Sequence, residues 1–224
     1  MSKFFRSKLP KTITYFLGEI LIVVLGIFIA VQLNNWNENI KDRKEEKKSL
    51  ELLLNELNYE KFTVDYSDKE LKKSIAYLTQ IKNGNYSKID SLTNKLDNEY
   101  IKQKINSSYI NMKFSGKLNL ISNDTLKSII ARHYEIYYEY FGNFEKSQRA
   151  FIHNNVRPYI LKELNLSSDS ISDNLKIIEK LKDQELQNLI SYQIDALTSI
   201  DKALDPSYLE QTIQYVEKEL AKFD

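Results

Sequence analysis

A long apolar run marks the N-terminal part of the chain. Within residues 13–33, only five residues are not apolar: Thr14, Gly18, Glu19, Gly26 and Gln32. About 20 helical residues cross the hydrocarbon core of a bilayer. The run therefore predicts a transmembrane helix over residues 13–35. A cleaved signal peptide fits less well, because Ala30 is the only small residue near the end of the run.

A basic tail, residues 1–12, precedes the apolar run. It contains four cations and no acid: Lys3, Arg6, Lys8 and Lys11. Because Lys and Arg beside a transmembrane helix favour the cytoplasmic side, the tail predicts a cytoplasmic N-terminus. In a single-pass protein of the bacterial inner membrane, the main domain would then lie in the periplasm.

A heptad pattern continues from the apolar run into more polar sequence. Steps of three and four residues connect a predicted seam consisting of Glu19, Ile22, Gly26, Ile29, Leu33 and Trp36. The same phase continues through Leu50, Leu57, Val64, Leu71 and Leu78, which predicts a helical stalk over residues 36–82. Two interpretations stay open: a coiled-coil seam between copies of the chain, or a helix packed against its own domain.

Glu19 is the one carboxylate in the apolar run, and two interpretations stay open for it as well. In the first, it lies near the membrane interface, where its side chain reaches water or takes up a proton. In the second, it faces other copies of the chain, with Gly26 allowing the helices to approach closely.

The remaining sequence, residues 83–224, predicts a soluble helical bundle, because helix formers abound and Gly and Pro are rare. A turn signal at Gly84 precedes a short helix over residues 90–105, the segment "INSSY" is a second connection, and Gly116 marks a later helix end or tight turn. A long helix follows over residues 124–164, which Pro158 kinks or splits. One or two helices are expected over residues 171–204, and Asp205 with Pro206 begins a last helix. The fold class is therefore all-α.

Composition and motifs give no sign of nucleic-acid binding or of catalysis. Lys and Arg number 32 against 31 Asp and Glu, so the chain has no basic excess for a phosphate backbone. Cys is absent, the Gly residues form no phosphate-binding loop, and the only histidines, His133 and His153, lack metal-ligand spacing. We expect no enzyme activity, no catalytic, cofactor-binding or metal-binding residue, and no cofactor.

Two segments resemble a family of uncharacterised single-pass membrane proteins of Bacteroidota, DUF6090. The first is "GEILIVVLGIFIAVQLNNWNEN", in which the matching residues include Gly18, Glu19, Gln32, Asn34, Asn35, Trp36, Asn37 and Glu38. The second is "FSGKLNLISNDTL", which contains Ser115 and Gly116. The resemblance implies a membrane location and a helical fold, and it implies no activity.

These observations predict a single-pass inner-membrane protein that acts as a self-associating scaffold or interaction module. Its expected partners are the lipid bilayer, further copies of the chain and an unidentified envelope protein. Two alternatives stay open. The first is a subunit of an oligomeric ion channel or ion-coupled complex that uses Glu19. The second is a membrane-tethered sensor or enzyme with a pocket near residues 114–121.

Overall fold

The computed structural model describes residues 11–164 and 170–223, and side chains within residues 15–164 and 171–223. The chain divides into two compact units, residues 1–48 and 49–224. All regular elements of the described residues are helices, and no strand occurs among them, which confirms the predicted all-α class. Of the predicted basic tail, residues 1–10 lie outside the described part of the chain.

Helix α1, Lys11–Lys82, is 72 residues long. In the first unit its large apolar side chains between residues 15 and 33 are exposed, with relative exposures of 46–80%. Among the described residues, α1 is the one helix that is long and apolar enough to cross a membrane, judged by length and composition. Residues 36–48 of the predicted stalk belong to this unit, and residues 49–82 belong to the second.

In the second unit, one face of α1 is part of the hydrophobic core. Leu50, Leu53, Leu57, Val64, Leu71 and Leu78 are all buried there. Five of these six positions are those of the heptad phase described above. From Leu50 onward, the apolar stripe is therefore explained by packing of the helix against its own domain, one of the two interpretations that the sequence left open.

Helix α1 ends at a turn in which Gly84 has φ 88°. A short 3₁₀ turn, Ile89–Ser91, and helix α2, Leu92–Leu96, follow and bury Leu92 and Leu96 in the core. The prediction of a helix over residues 90–105 is wrong beyond Leu96, because residues 97–106 form an irregular segment, here called the strap. The buried side chain of Gln148 bonds its backbone: Tyr100 N–H donates to Gln148 Oε1 at 2.9 Å, and Gln148 Nε2 donates to Asn98 O at 3.1 Å.

Helix α3, Ser107–Phe114, ends in the turn that the second sequence motif predicts. Gly116 has φ 76°, a left-handed conformation that suits a residue without Cβ. A 3₁₀ turn, Lys117–Leu120, leads to Asn123, whose side chain accepts a hydrogen bond from Leu126 N–H and caps helix α4, Asp124–Ala131.

Residues 124–164 form a continuous helical segment, here called the central helix, as the sequence predicts. Regular α-helix occurs in α4, in α5, Tyr138–Phe151, and in α6, Arg157–Tyr159. Three π-helical segments alternate with them: Arg132–Tyr137, Ile152–Val156 and Ile160–Leu164. Pro158 lies in α6 and cannot donate a backbone hydrogen bond. The helix does not end there; it is π-helical on both sides of α6.

Three helices complete the described chain: α7, Ser170–Lys180; α8, Gln184–Ala203; and α9, Pro206–Leu220. Asp183 accepts a hydrogen bond from Glu185 N–H at 3.2 Å and caps α8. Asp205 accepts one from Ser207 N–H at 2.9 Å with Pro206 at the first helical position, which confirms the predicted start of the last helix.

We predict opposite effects for alanine at two glycines of the second unit. Gly116→Ala should lower the free energy of unfolding by about 1–2 kcal/mol, because an L-residue is strained in the left-handed region. Gly142→Ala, in the middle of α5 and with no atom within 4 Å of the added Cβ, should raise it by about 0.5–1 kcal/mol. Urea unfolding of the full chain, followed by circular dichroism, measures both; equal effects would contradict the assignment.

Candidate functional site

A fully buried carboxylate, Glu60, lies at the centre of the second unit. Its Oε1 accepts a hydrogen bond from Lys102 Nζ at 2.7 Å, and its Oε2 lies 2.9 Å from His133 Nε2. The side chains of Glu60 and His133 are 0% exposed, and that of Lys102 is 8% exposed. The cluster thereby connects three parts of the chain: α1, the strap and the central helix.

The partners of Glu60 keep its carboxyl group ionised. Burial alone would raise the pKa of Glu60, but the hydrogen bonds from His133 and Lys102 and the positive charge of Lys102 outweigh burial and hold its pKa below the usual value. Because an ionised carboxylate only accepts hydrogen bonds, His133 Nε2 is the donor in this contact. The other ring nitrogen, Nδ1, is buried and has no hydrogen-bond partner among the described residues.

Aromatic rings enclose the cluster. Lys102 Nζ lies 4.5 Å from the ring centroid of Tyr138 and 4.9 Å from that of Tyr137, within the range of cation–π attraction. The imidazole of His133 stacks on the rings of Tyr137 and Tyr208, at centroid distances of 5.7 and 6.1 Å. Burial raises the pKa of Tyr137 and Tyr138 above the ordinary value, so both phenols stay protonated and neutral.

The first π-helical segment, Arg132–Tyr137, provides the imidazole of the cluster. π-Helical turns are rare and frequently occur at functional sites. Here the segment places two adjacent side chains, His133 and Tyr134, in the interior. Sequence reasoning predicted the central helix but missed His133, because regular helical spacing does not place two adjacent residues on the buried face. The second histidine of the chain, His153, also lies in a π-helical segment.

A second buried carboxylate, Glu56, lies one helical turn before Glu60. Its Oε2 accepts hydrogen bonds from Ser107 Oγ and from the backbone N–H of Ser108, both at 2.7 Å. The carboxylate thus acts as acceptor for the first turn of α3, where the backbone N–H groups have no partner within the helix. Glu56 therefore fixes the start of α3 against α1.

An open groove of about 560 Å³ lies beside the cluster, between the strap and the central helix. It is lined by residues of both charges and by the edges of two buried tyrosines, among them Lys102, Lys104, Tyr138, Glu139, Lys146 and Arg149. Its size suits a small ligand. His133 does not line it. No group of three or more potential metal ligands occurs among the described residues.

The residues of the predicted seam lie in the first unit, on the exposed surface of α1. The seam consists of Glu19, Ile22, Gly26, Ile29, Leu33 and Trp36, and a Cβ added at Gly26 would meet no atom within 4 Å. In the amide cluster that follows, Asn34 Nδ2 donates a hydrogen bond to Glu38 Oε1 at 3.0 Å, while Gln32, Asn35 and Asn37 are exposed. Contact between copies along this seam stays a prediction.

The second sequence motif forms a structural junction. Ser115 and Gly116 make the turn after α3, and Phe114 is 83% exposed beside it. Asn123 caps α4 and also donates its Nδ2 to Oε2 of buried Glu219 in α9, at 2.6 Å. The motif thus joins the start of the central helix to the last helix of the bundle.

Comparison with known proteins identifies the family. Residues 19–146, more than half of the chain, match the model described as "Family of unknown function (DUF6090)". The chain belongs to this family. The matched range includes Glu60, Lys102 and His133 together with both sequence motifs, apart from Gly18 at the start of the first. No curated protein and no solved structure matches the chain.

We predict that Lys102→Met lowers the free energy of unfolding by about 3–5 kcal/mol, because it leaves the buried Glu60 charge with an incomplete set of partners. The matched control is Lys73→Met, which removes the partner of Glu70 in a pair that is 70% and 44% exposed. That change should cost far less stability, because solvent screens an exposed ion pair. Urea unfolding of the full chain measures both, and similar losses would contradict a dominant role for the cluster.

We also predict that Glu60 makes stability depend on pH. Since the folded state lowers the pKa of Glu60 from its usual 4.5, the charged cluster contributes stability above pH 4.5 and loses it as pH falls through the lowered pKa. Glu60→Gln should therefore be much less stable than the parent chain at neutral pH, and the difference should shrink below pH 4.5. Unfolding measured across this pH range, with Glu70→Gln as the exposed control, tests the sign; a constant difference would contradict it.

Proposed function

We propose that the chain is a membrane-anchored helical interaction module of the bacterial inner membrane. The observation that carries the proposal is the exposure of the apolar side chains along the N-terminal part of α1. Fourteen large apolar residues between positions 15 and 33 are each 46–80% exposed. A continuous surface of this kind needs a cover, and a soluble domain rarely leaves so large an apolar patch in water.

A bilayer is the cover that suits this surface best. The exposed residues surround the helix on every side, as in a segment that lipid contacts all round, whereas a protein partner would require one apolar face. Residues 13–35 would span about 33 Å at 1.5 Å per residue, close to the thickness of the hydrocarbon core. Trp36, 64% exposed, follows at the position where aromatic side chains favour the membrane interface.

The orientation follows from the cations of the N-terminal tail. Lys3, Arg6, Lys8 and Lys11 favour a cytoplasmic N-terminus, so the second unit would be periplasmic. The contents of that unit support an interaction role more than a chemical one. The polar cluster around Glu60 is enclosed, and the exposed His153 is engaged by Glu99 at 2.7 Å and by Arg157.

Self-association belongs to the same proposal. Gly26 offers a smooth surface on which a second helix can approach closely, and Glu19 would find a polar partner there that lipid cannot supply. Ile22 and Ile29 complete this contact at the spacing of a helix pair. Copies of the chain held together in this way would present several periplasmic units to an envelope partner.

We predict that the full chain stays in the membrane pellet after alkaline carbonate washing. The double substitution Val23→Lys and Val24→Lys should release it, because each charge at the centre of a membrane helix costs about 2.5–3.5 kcal/mol on insertion scales. As matched control, Leu52→Lys and Phe62→Lys replace exposed apolar residues outside the run and should leave the chain in the pellet.

The same preparation tests the orientation. Alkaline phosphatase fused after Asp224 should be active, since the enzyme needs disulfides that form in the periplasm. Release of the unmodified chain by carbonate would overturn the anchor. Retention together with an inactive fusion would overturn the orientation alone.

A further inference from the structure

A second apolar stripe occurs on α1 within the second unit, and it faces solvent. It consists of Leu52, Tyr59, Phe62 and Tyr66, with relative exposures of 53%, 54%, 68% and 64%. At 100° per residue, Phe62 and Tyr66 point about 160° away from the buried Val64. This exposed stripe therefore lies on the opposite side of the helix from the core stripe.

The spacing of the exposed stripe is that of a helix-pairing seam. The steps from Leu52 through Asn55, Tyr59 and Phe62 to Tyr66 are three, four, three and four residues long, which keeps all five side chains on one line of a paired helix. Every side chain on this line is uncharged. Large aromatic side chains with few charges are typical of the centre of protein interfaces.

We infer that the exposed stripe is the surface by which α1 pairs with α1 of a second copy, parallel and in register. This inference rests on the self-association in the proposed function but names a different surface from the Glu19–Gly26 seam. It also replaces the seam that the sequence suggested from Leu50 onward, because those side chains are buried in the chain's own core.

A second copy fits the stripe because parallel pairing in register brings like residues together. Each aromatic ring then meets the same ring of the other copy, and the amide of Asn55 can donate to and accept from its counterpart. A single polar residue in such a seam fixes its register. The next two positions of the same phase are Lys69 and Lys73, whose charges would repel their counterparts and end the seam after Tyr66.

The size of the stripe also favours a partner held in the same membrane. Residues 52–66 extend over about 21 Å of helix. One helix face of this length falls short of the roughly 800 Å² per partner of a stable free dimer. Two chains that share a bilayer meet at high effective concentration, so a small surface suffices for them. A soluble partner of unrelated sequence would lack this advantage.

The chain contains no Cys, so single-cysteine variants report contacts without background. Phe62→Cys and Tyr59→Cys place a thiol in the seam of the full-length chain in its own membranes. Asn58→Cys is the matched control for Tyr59→Cys, because Asn58 is exposed and adjacent in sequence but lies about 100° round the helix from Tyr59. Mild oxidation should give a disulfide-linked dimer at both seam positions, with a yield at least about fivefold above the control, because Cβ atoms must come within about 4 Å.

A second variant tests the chemistry of the contact. Phe62→Lys, added to Tyr59→Cys, should abolish the dimer because two lysines would then face each other, while circular dichroism should show unchanged helix content at this exposed site. Equal or absent crosslinking at all three positions would overturn the inference. So would crosslinks that form at Tyr66→Cys but not at Tyr59→Cys, since they would indicate antiparallel pairing near the end of the stripe.

Failure of the stripe and failure of the anchor give different results. A chain that stays in the carbonate pellet without crosslinks at Tyr59 or Phe62 would reject the stripe and leave the anchor intact. Crosslinking from Ile22→Cys in that chain would then assign self-association to the seam in the first unit. A chain that carbonate releases would reject the anchor, whatever its crosslinks.

Discussion

A buried negative charge organises the second unit. Glu60 is enclosed by protein, and an unpaired carboxylate in such a place would cost several kcal/mol. The charge is tolerated because Lys102 and His133 both reach it, and they come from the strap and from the central helix. The three elements must therefore be in place together. If one of them shifted, a side chain of the cluster would be exposed or would lose its hydrogen-bond partner.

The irregular backbone of the strap also serves to place Lys102 beside Glu60. A helix through residues 97–106 would bond its own backbone, whereas the observed segment leaves its polar groups to side chains of neighbouring helices. Gln148 binds both Asn98 and Tyr100, and Tyr138 donates its hydroxyl to Ile105 O at 3.0 Å. With the backbone held in this way, Lys102 can direct its amine into the interior. The family match ends at residue 146, so it includes the charged cluster but not Gln148.

Local signals in the sequence predicted most helices, since capping residues, turn glycines and apolar periodicity act over a few residues. Asp205 caps the last helix where expected, and Gly116 adopts the left-handed turn. The charged cluster gave no such signal. Glu60 is separated from His133 by 73 positions, and each residue alone resembles an ordinary surface residue of a helix. The extent of the strap was missed for a related reason, because Gln148, which holds its backbone, is remote in sequence.

Helix α1 shows why periodicity alone cannot assign a partner. Two heptad phases occur on the same stretch of helix, one through Leu57 and Val64 and another through Tyr59 and Phe62. Both have the spacing of a helix pair, and only the fold decides that the first is buried within the chain. Because the first phase is buried in the core, the second phase forms the exposed apolar surface of α1 in this unit. The aliphatic phase suits a permanent core. The aromatic phase, which includes Asn55, combines apolar rings with hydroxyl and amide groups, as is typical of a surface that is exposed to water in one state and paired in another.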